Sequence, residues 1–265
     1  MLIVGELINT SRKIIMESVE RRDAECIRKI ARRQVEAGAD YLDVNCSDLL
    51  DNELEIMGWL IENLQAAVDI PLCIDTPDTE VMGLGLSLAQ KQRPMANSIT
   101  GEEERCQAVL PLVVKYGAKV VALCMDDEGI PETAEDRLRV AQELVRKLTG
   151  AGVADDDIYF DLLLKPISTG DRAGLEVLDS IRLIRQKFPK VHLICGLSNV
   201  SYGLPNRKVL NRTFMIQTMT TGIDSYILDP LDKTLMGYLY ASQALLAQDP
   251  FCMKYLNAHR QGFYR

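Results

Sequence analysis

Polar side chains recur wherever a buried apolar run gives out, and their types limit the chemistry. In chain order the residues at these ends are Glu6 and Asn9, Asp43 and Asn45, Asp75, Asn97 and Ser98, Met125 and Asp126, Asp161, Ser198 and Asn199, and Asp229. Asp43 and Asn45 are two apart, so in an extended segment they share one face while Leu42 and Val44 share the other. The turn Gly196-Leu197-Ser198-Asn199-Val200-Ser201 sets two hydrogen-bonding side chains just past an apolar run. A ring of carboxylates and carboxamides without imidazole suits two ligand classes. A hard cation such as Mg²⁺ takes oxygen donors, whereas a flat polar heterocycle takes directional hydrogen bonds. An aminopyrimidinone fits better: one ionised carboxylate accepts its amino group and ring N–H together, and Asn serves its remaining donors and acceptors. Metal sites rarely dilute their carboxylates with so many neutral amides, so no bound metal is expected.

Each position also has a plainer reading, since Asp and Asn cap helices and make turns. Asp75 before Thr76-Pro77 suits a cap of the next helix, and Asp229 before Pro230 suits a turn. The set as a whole resists this reading, because Ser, Thr or Gly cap equally well. The chain has only two histidines, His192 and His259, in unrelated contexts. A Ser-His-Asp triad, an imidazole zinc site and a His general base are therefore poorly supplied.

Eight strand-like runs position these residues: Leu2 to Gly5, Tyr41 to Val44, Leu72 to Ile74, Pro94 to Ser98, Val120 to Leu123, Ile158 to Leu162, Val191 to Gly196 and Ser225 to Leu228. Between them, Ile27, Ile30, Ala31 and Val35 repeat at helical spacing, as do Leu54, Met57, Ile61, Leu64 and Val68, and Val177, Ile181, Ile184 and Phe188. Gly38, Gly117 and Gly222 each stand just before a strand, where a left-handed residue stops a helix. Eight such units predict a (β/α)₈ barrel, also called a TIM barrel, spanning 1–265 as one domain. A doubly wound open sheet is the alternative, weakened because Gly5-Glu6-Leu7-Ile8-Asn9 replaces a glycine-rich phosphate loop. Pro111 predicts a kink or late start in its helix.

With 265 residues, 47% hydrophobic and 26% charged, the chain can bury one large core. A net charge of −8 gives no footprint for nucleic acid. No apolar run reaches the ~20 residues of a membrane span, and Met1 to Glu6 lacks the features of a signal peptide, so a cytoplasmic protein is expected. The seven cysteines are odd in number and contain no Cys-x-x-Cys pair, which reads as reduced thiols, mostly in the core.

The stretches Val4-Gly5-Glu6-Leu7-Ile8-Asn9, Leu42-Asp43-Val44-Asn45, Cys73-Ile74-Asp75-Thr76, Asn97-Ser98, Gly129-Ile130-Pro131, Asp161, Gly196 to Ser201 and Asn211-Arg212-Thr213-Phe214 resemble the methyltetrahydrofolate:corrinoid methyltransferases, over essentially the whole chain. Wider relatives are the folate module of cobalamin-dependent methionine synthase and dihydropteroate synthase. The resemblance implies a homodimeric pterin-binding barrel that moves a methyl group between the nitrogen at ring position five of tetrahydrofolate and the cobalt of a corrinoid protein. Asp75, Asn97 and Asp161 match positions that hold the pterin edge, and Asp43, Asn45, Gly196 and Ser198 would shape the same pocket. Asn199 matches the Asn nearest the methyl-bearing nitrogen. It would stabilise charge there without titrating, while Asp75 or Asp161 would handle the proton. Further candidates are Glu6, Ser98, Asp126, Lys165, Tyr202 and Arg207, the last as an anchor for the anionic folate tail, with Lys208 and Arg212 beside it.

Three positions depart from the family: Leu7 where many members have Arg, Tyr202 where the acetogenic branch has Gln, and Lys165 where an apolar residue is expected. These imply a different corrinoid partner or direction, with methyl groups collected from a methylated corrinoid and delivered to tetrahydrofolate. The acetogenic direction, a dihydropteroate-synthase-like condensing enzyme and a non-catalytic folate binder remain the alternatives. The Asp-x-His-x-x-Gly cobalt-binding signature is missing, so the corrinoid, cobalamin or a relative, would arrive on another protein that docks transiently over an open mouth.

Overall fold

A computed structural model describes residues 1–48 and 52–264. Among them, eight parallel strands close into a barrel in sequence order: β1 (Leu2–Asn9), β2 (Tyr41–Asn45), β3 (Leu72–Asp75), β4 (Met95–Thr100), β5 (Lys119–Leu123), β6 (Ile158–Asp161), β7 (His192–Gly196) and β8 (Ser225–Leu228), with β8 pairing back onto β1. The outer helices are α1 (Lys13–Glu20), α2 (Ala24–Glu36), α3 (Glu53–Ala67), α4 (Thr79–Leu88), α5 (Glu103–Tyr116), α6 (Ala134–Gly150), α7 (Ala173–Lys187), α8 (Arg207–Thr221), α9 (Lys233–Leu245) and α10 (Met253–Arg260). The expected barrel is present and the open sheet is excluded by closure. Gly38, Gly117 and Gly222 all have positive φ where their helices end, as the sequence predicted. Cys46, Cys73, Cys106, Cys124 and Cys195 are buried, and all seven cysteines are free thiols.

Some local expectations change. Strand β1 continues to Asn9 and β4 to Thr100, each past a shift in pairing register, between Gly5 and Ile8 and between Asn97 and Ile99. Glu6 therefore lies within its strand, not after it, while Asn97 and Ser98 lie inside β4 as the run Pro94 to Ser98 placed them. Helix α5 starts at Glu103 and runs through Pro111, so there is no late start. Leu54 is exposed at the start of α3, and Ile56 and Leu60 take part in its buried stripe instead. Helix α1 fills the span between β1 and α2.

Two apolar layers follow from the two-residue period of strands. Val4, Tyr41, Cys73, Met95, Val121, Tyr159 and Ile194 form a small buried cluster, with Leu2, Leu123 and Ile227 against it. Every strand contributes, so this cluster fills the lumen. The larger cluster, including Leu42, Val44, Ile74, Ala96, Phe160, Leu193 and Tyr226, lies between the strands and the helices.

The helix shell approaches closely at Gly85 of α4. A β-carbon there would sit 2.6 Å from Cγ2 of Ile74, the residue before Asp75. Alanine gains ~1 kcal/mol in helix propensity over glycine, but overpacking of this kind costs ~1–3 kcal/mol. Gly85→Ala is therefore expected to lower Tm, measured by circular dichroism; a rise in Tm would show that Ile74 yields freely.

Candidate functional site

Counting two residues on from each lumen residue gives the layer above it. Val4 leads to Glu6, Tyr41 to Asp43 and then Asn45, Cys73 to Asp75, Met95 to Asn97, Tyr159 to Asp161, Ile194 to Gly196 and Ile227 to Asp229. Strand periodicity thus turns these side chains inward at the carboxyl end of the barrel, the end where barrel enzymes carry their chemistry. Asn45, Asp75 and Asn97 are level across β2, β3 and β4.

One half of this layer is a carboxylate pair. Asp43 is buried, at 3% exposure, beside the side chains of Cys73 and Asn97, and its Oδ1 has no hydrogen-bonding partner. Burial, followed by repulsion from Asp75, raises its pKa well above the carboxylate range. Asp75 is pushed up to about 6, chiefly by burial; the Asn45 amide and the Arg105 charge oppose the rise, and Glu53 adds to it. Asn45 Nδ2 donates to Asp75 Oδ2 at 2.8 Å, while its own Oδ1 accepts from Ser47 N and Oγ. Asp43 thus holds a proton more tightly than an ordinary carboxylate, beside an oriented Asp75. Asp75 does not cap the next helix: Asp78 does, accepting from Glu80 N and Val81 N.

The other half is built on β6 and β7. Burial raises Asp161 to about 6, against backbone hydrogen bonds from Leu163 and Gly196 that lower it. Leu163 itself adopts a positive φ of 53°, a conformation few non-glycine residues adopt. The turn Leu197–Ser201 after β7 folds Asn199 back over Gly196: a β-carbon at Gly196 would lie 3.3 Å from Asn199 Nδ2. The missing side chain makes room for the exposed Asn199 amide, which makes no hydrogen bond among the described residues.

Other candidates are engaged elsewhere. Glu6 accepts from Arg12 at 2.7 Å, yet burial still raises its pKa. Asp229 accepts from Leu231 N in a tight turn, the plainer reading of that residue. Asn9 likewise accepts from Ser11 N. Asp126 is held in the turn after β5 by Arg139 and Glu128 N. Arg212 and Lys208 pair with Asp232, and Arg207 donates to Ser198 O at 2.7 Å and to Ser201 Oγ. Those contacts use these cations within the loop, against the reading of Lys208 and Arg212 as tail anchors. Lys165 is half-buried in the loop after β6 and makes no ion pair among the described residues. Tyr202 is 67% exposed on the rim with Arg207 over its ring, and Leu7 is buried with its N–H on Gln34. His192 lies at the opposite end of the barrel, bonded to Asp224 and Asp156. Among the described residues no three His, Cys, Asp or Glu side chains converge as metal ligands, and no helix is long and apolar enough to cross a membrane.

Sequence reasoning missed two buried or half-buried arginines that hold the mouth. Arg105 of α5 donates to the carbonyls of Ser98, Thr76 and Pro77. Arg137 of α6, 2% exposed, donates to the carbonyls of Leu162, Glu132 and Thr133. Each grips backbone one residue past a mouth carboxylate or amide, so the cations brace the site while leaving Asp75 and Asp161 without salt bridges. Their only sequence signal is an arginine near the start of a helix, where the dipole disfavours it.

Residues 5–229 match the family described as pterin binding enzyme. The chain is 36% identical over 264 residues to the methylcorrinoid:tetrahydrofolate methyltransferase of Eubacterium limosum, covering 99% of this chain and 97% of that protein. It is 33% identical over 262 residues to the methionine synthase of Mycobacterium tuberculosis, corresponding to 22% of that longer protein. In fold it is similar to the dihydropteroate synthases of Yersinia pestis, with a TM-score of 0.69, 16% identity and 93% of each chain covered, and of Xanthomonas albilineans in complex with 7,8-dihydropteroate, with a TM-score of 0.68, 18% identity and coverage of 93% and 94%.

Burial of Asp75 carries a stability cost with a definite sign. Its folded pKa, about 6, exceeds the unfolded value near 3.8. The folded chain therefore holds the proton more tightly, and stability rises as pH falls from 6 toward 4. Asp75→Asn, which keeps the bond to Asn45, should stabilise the free protein by ~1–2 kcal/mol at pH 7. Thermal unfolding tests this; an unchanged or lower Tm contradicts the electrostatic account.

Proposed function

Because the chain belongs to the pterin-binding enzyme family, we propose that its mouth holds the pterin of tetrahydrofolate and that it is a methyltransferase working with a separate corrinoid protein. Methyl transfer runs from the methylated corrinoid to the pterin nitrogen, forming methyltetrahydrofolate. The observation carrying this reading is the pairing of buried Asp161 and half-buried Asp75, neither held by a salt bridge among the described residues, with an unengaged Asn199 amide, in a chain that aligns end to end with a methylcorrinoid:tetrahydrofolate methyltransferase.

Asp75 and Asp161 supply ionised oxygens to the donor edges of the pterin, and Asn97 and Asn45 complete the pattern with neutral groups. The lumen beneath is packed with apolar side chains, so the ring enters from the mouth alone. In the transfer the ring nitrogen donates its electron pair to the methyl carbon, the cobalt–carbon bond breaks with its electrons remaining on the metal, and the nitrogen releases its proton. The Asn199 carbonyl accepts a hydrogen bond from the protonated nitrogen and turns its amide to the neutral one. Asn does not titrate, so it serves both ends of the reaction. The proton passes through water or through the carboxylates Asp75 or Asp161.

A condensing enzyme that expels pyrophosphate needs Lys and Arg side chains at the sixth to eighth strand ends. Here the seventh strand ends in Ser198-Asn199, which favours methyl transfer. The exposed Tyr202 and Ile130 stand on loops around the mouth, where a corrinoid protein would dock transiently, and a homodimer and a cytoplasmic setting accompany this assignment. Gly196, Ser198 and Asp43 shape the pocket, with Glu6, Ser98, Lys165 and Arg207 at its margin.

An anaerobic assay with tetrahydrofolate and methylcobalamin, followed by the corrinoid spectrum, tests the activity; no turnover in either direction refutes it. Asn199→Ala is expected to keep folate affinity within a few fold and to slow transfer by roughly ten- to a thousandfold. Equal loss of binding and rate would remove its assigned role. Folate affinity should also fall as pH drops through about 6, where Asp75 and Asp161 take up protons. A flat binding profile across that range would exclude ionised carboxylates as the contact.

A further inference from the structure

Arg105 is the third residue of α5, in the first turn, where the helix dipole disfavours a cation. It makes no ion pair among the described residues. Its guanidinium bridges the loop after β3 and strand β4: Nε and Nη2 donate to Ser98 O at 3.1 and 2.9 Å, Nη2 also donates to Thr76 O at 3.0 Å, and Nη1 donates to Pro77 O. Thr76 follows Asp75, and Ser98 follows Asn97. One side chain therefore fixes the backbone beside two neighbouring mouth residues whose strands are already in register.

Other groups facing Asp75 are Asn45 and Asp43 from β2 and Glu53 from α3, the last bonded to Thr76 Oγ1. Two of these three are acids. Arg105 is the cation that faces them, and because it is bound to carbonyls it lends its charge without capping the Asp75 oxygens.

We propose that Arg105 is a positioning residue for the pterin site: it sets the spacing of Asp75 and Asn97 and brings positive charge beside Asp75, without touching the ligand. This rests on the assignment of that layer as the pterin site. It separates two contributions, geometry and charge, that substitutions divide. Arg105→Gln removes both. Arg105→Lys keeps the charge but cannot span the loop after β3 and strand β4 with a planar fork.

The test is anaerobic titration of each purified protein with tetrahydrofolate at several pH values on either side of 6, with folding checked by circular dichroism. Arg105→Gln is expected to bind about tenfold more weakly or worse at pH 7, and its binding midpoint should shift to higher pH. Arg105→Lys should also bind weakly, with a midpoint restored to that of the wild type. Wild-type affinity in the Gln variant overturns the proposal, as does one shared midpoint for the Lys and Gln variants. If the Gln variant does not fold, wild-type affinity in the Lys variant overturns it alone. A wild-type protein that binds no tetrahydrofolate refutes the functional assignment instead, so the two failures are distinguishable.

Discussion

The site depends on keeping carboxylates buried without neutralising them by salt bridges. Desolvation raises Asp43, Asp75 and Asp161 together, and a buried charge ordinarily demands a partner. Here the partners are weaker than ions: backbone N–H groups for Asp161 and one amide for Asp75, while Asp43 Oδ1 has no partner among the described residues. That arrangement costs the free protein stability and leaves hydrogen-bonding capacity facing the mouth. A ligand with paired N–H donors offsets the deficit, so recognition and instability share a physical origin.

The arginines fit the same constraint. Placed against Asp75 or Asp161, they would have satisfied these acids and closed the site. Arg105, Arg137 and Arg207 instead grip the backbone carbonyls of Ser98, Leu162 and Ser198. Charge is brought near while geometry is fixed, and both come from the helix shell. The strands supply the chemical groups, the helices their tolerances.

Much of this was legible in the sequence because it is local. The apolar runs mark all eight strands, and the two-residue period carries Asp43, Asp75 and Asp161 into one layer from residue numbers alone. Features set by distant partners were not legible. The register shifts that extend β1 and β4 arise from pairing with β2 and β5. The roles of Arg105 and Arg137 depend on carbonyls more than twenty residues away in chain for Thr76 and Leu162. The engagement of Arg212 by Asp232 spans 20 residues, and nothing near either residue announces it. Asp75 and Asp78 look alike as caps; only the turn geometry shows that Asp78 does that work.

The packed lumen has a consequence for how the reaction keeps its protons. Val4, Tyr41, Met95, Val121, Tyr159 and Ile194 plug the barrel below Asp43, so the carboxylate pair meets solvent through the mouth alone. Protons and ligand therefore share one route, and whatever enters the barrel must pass the same carboxylates that exchange protons with water.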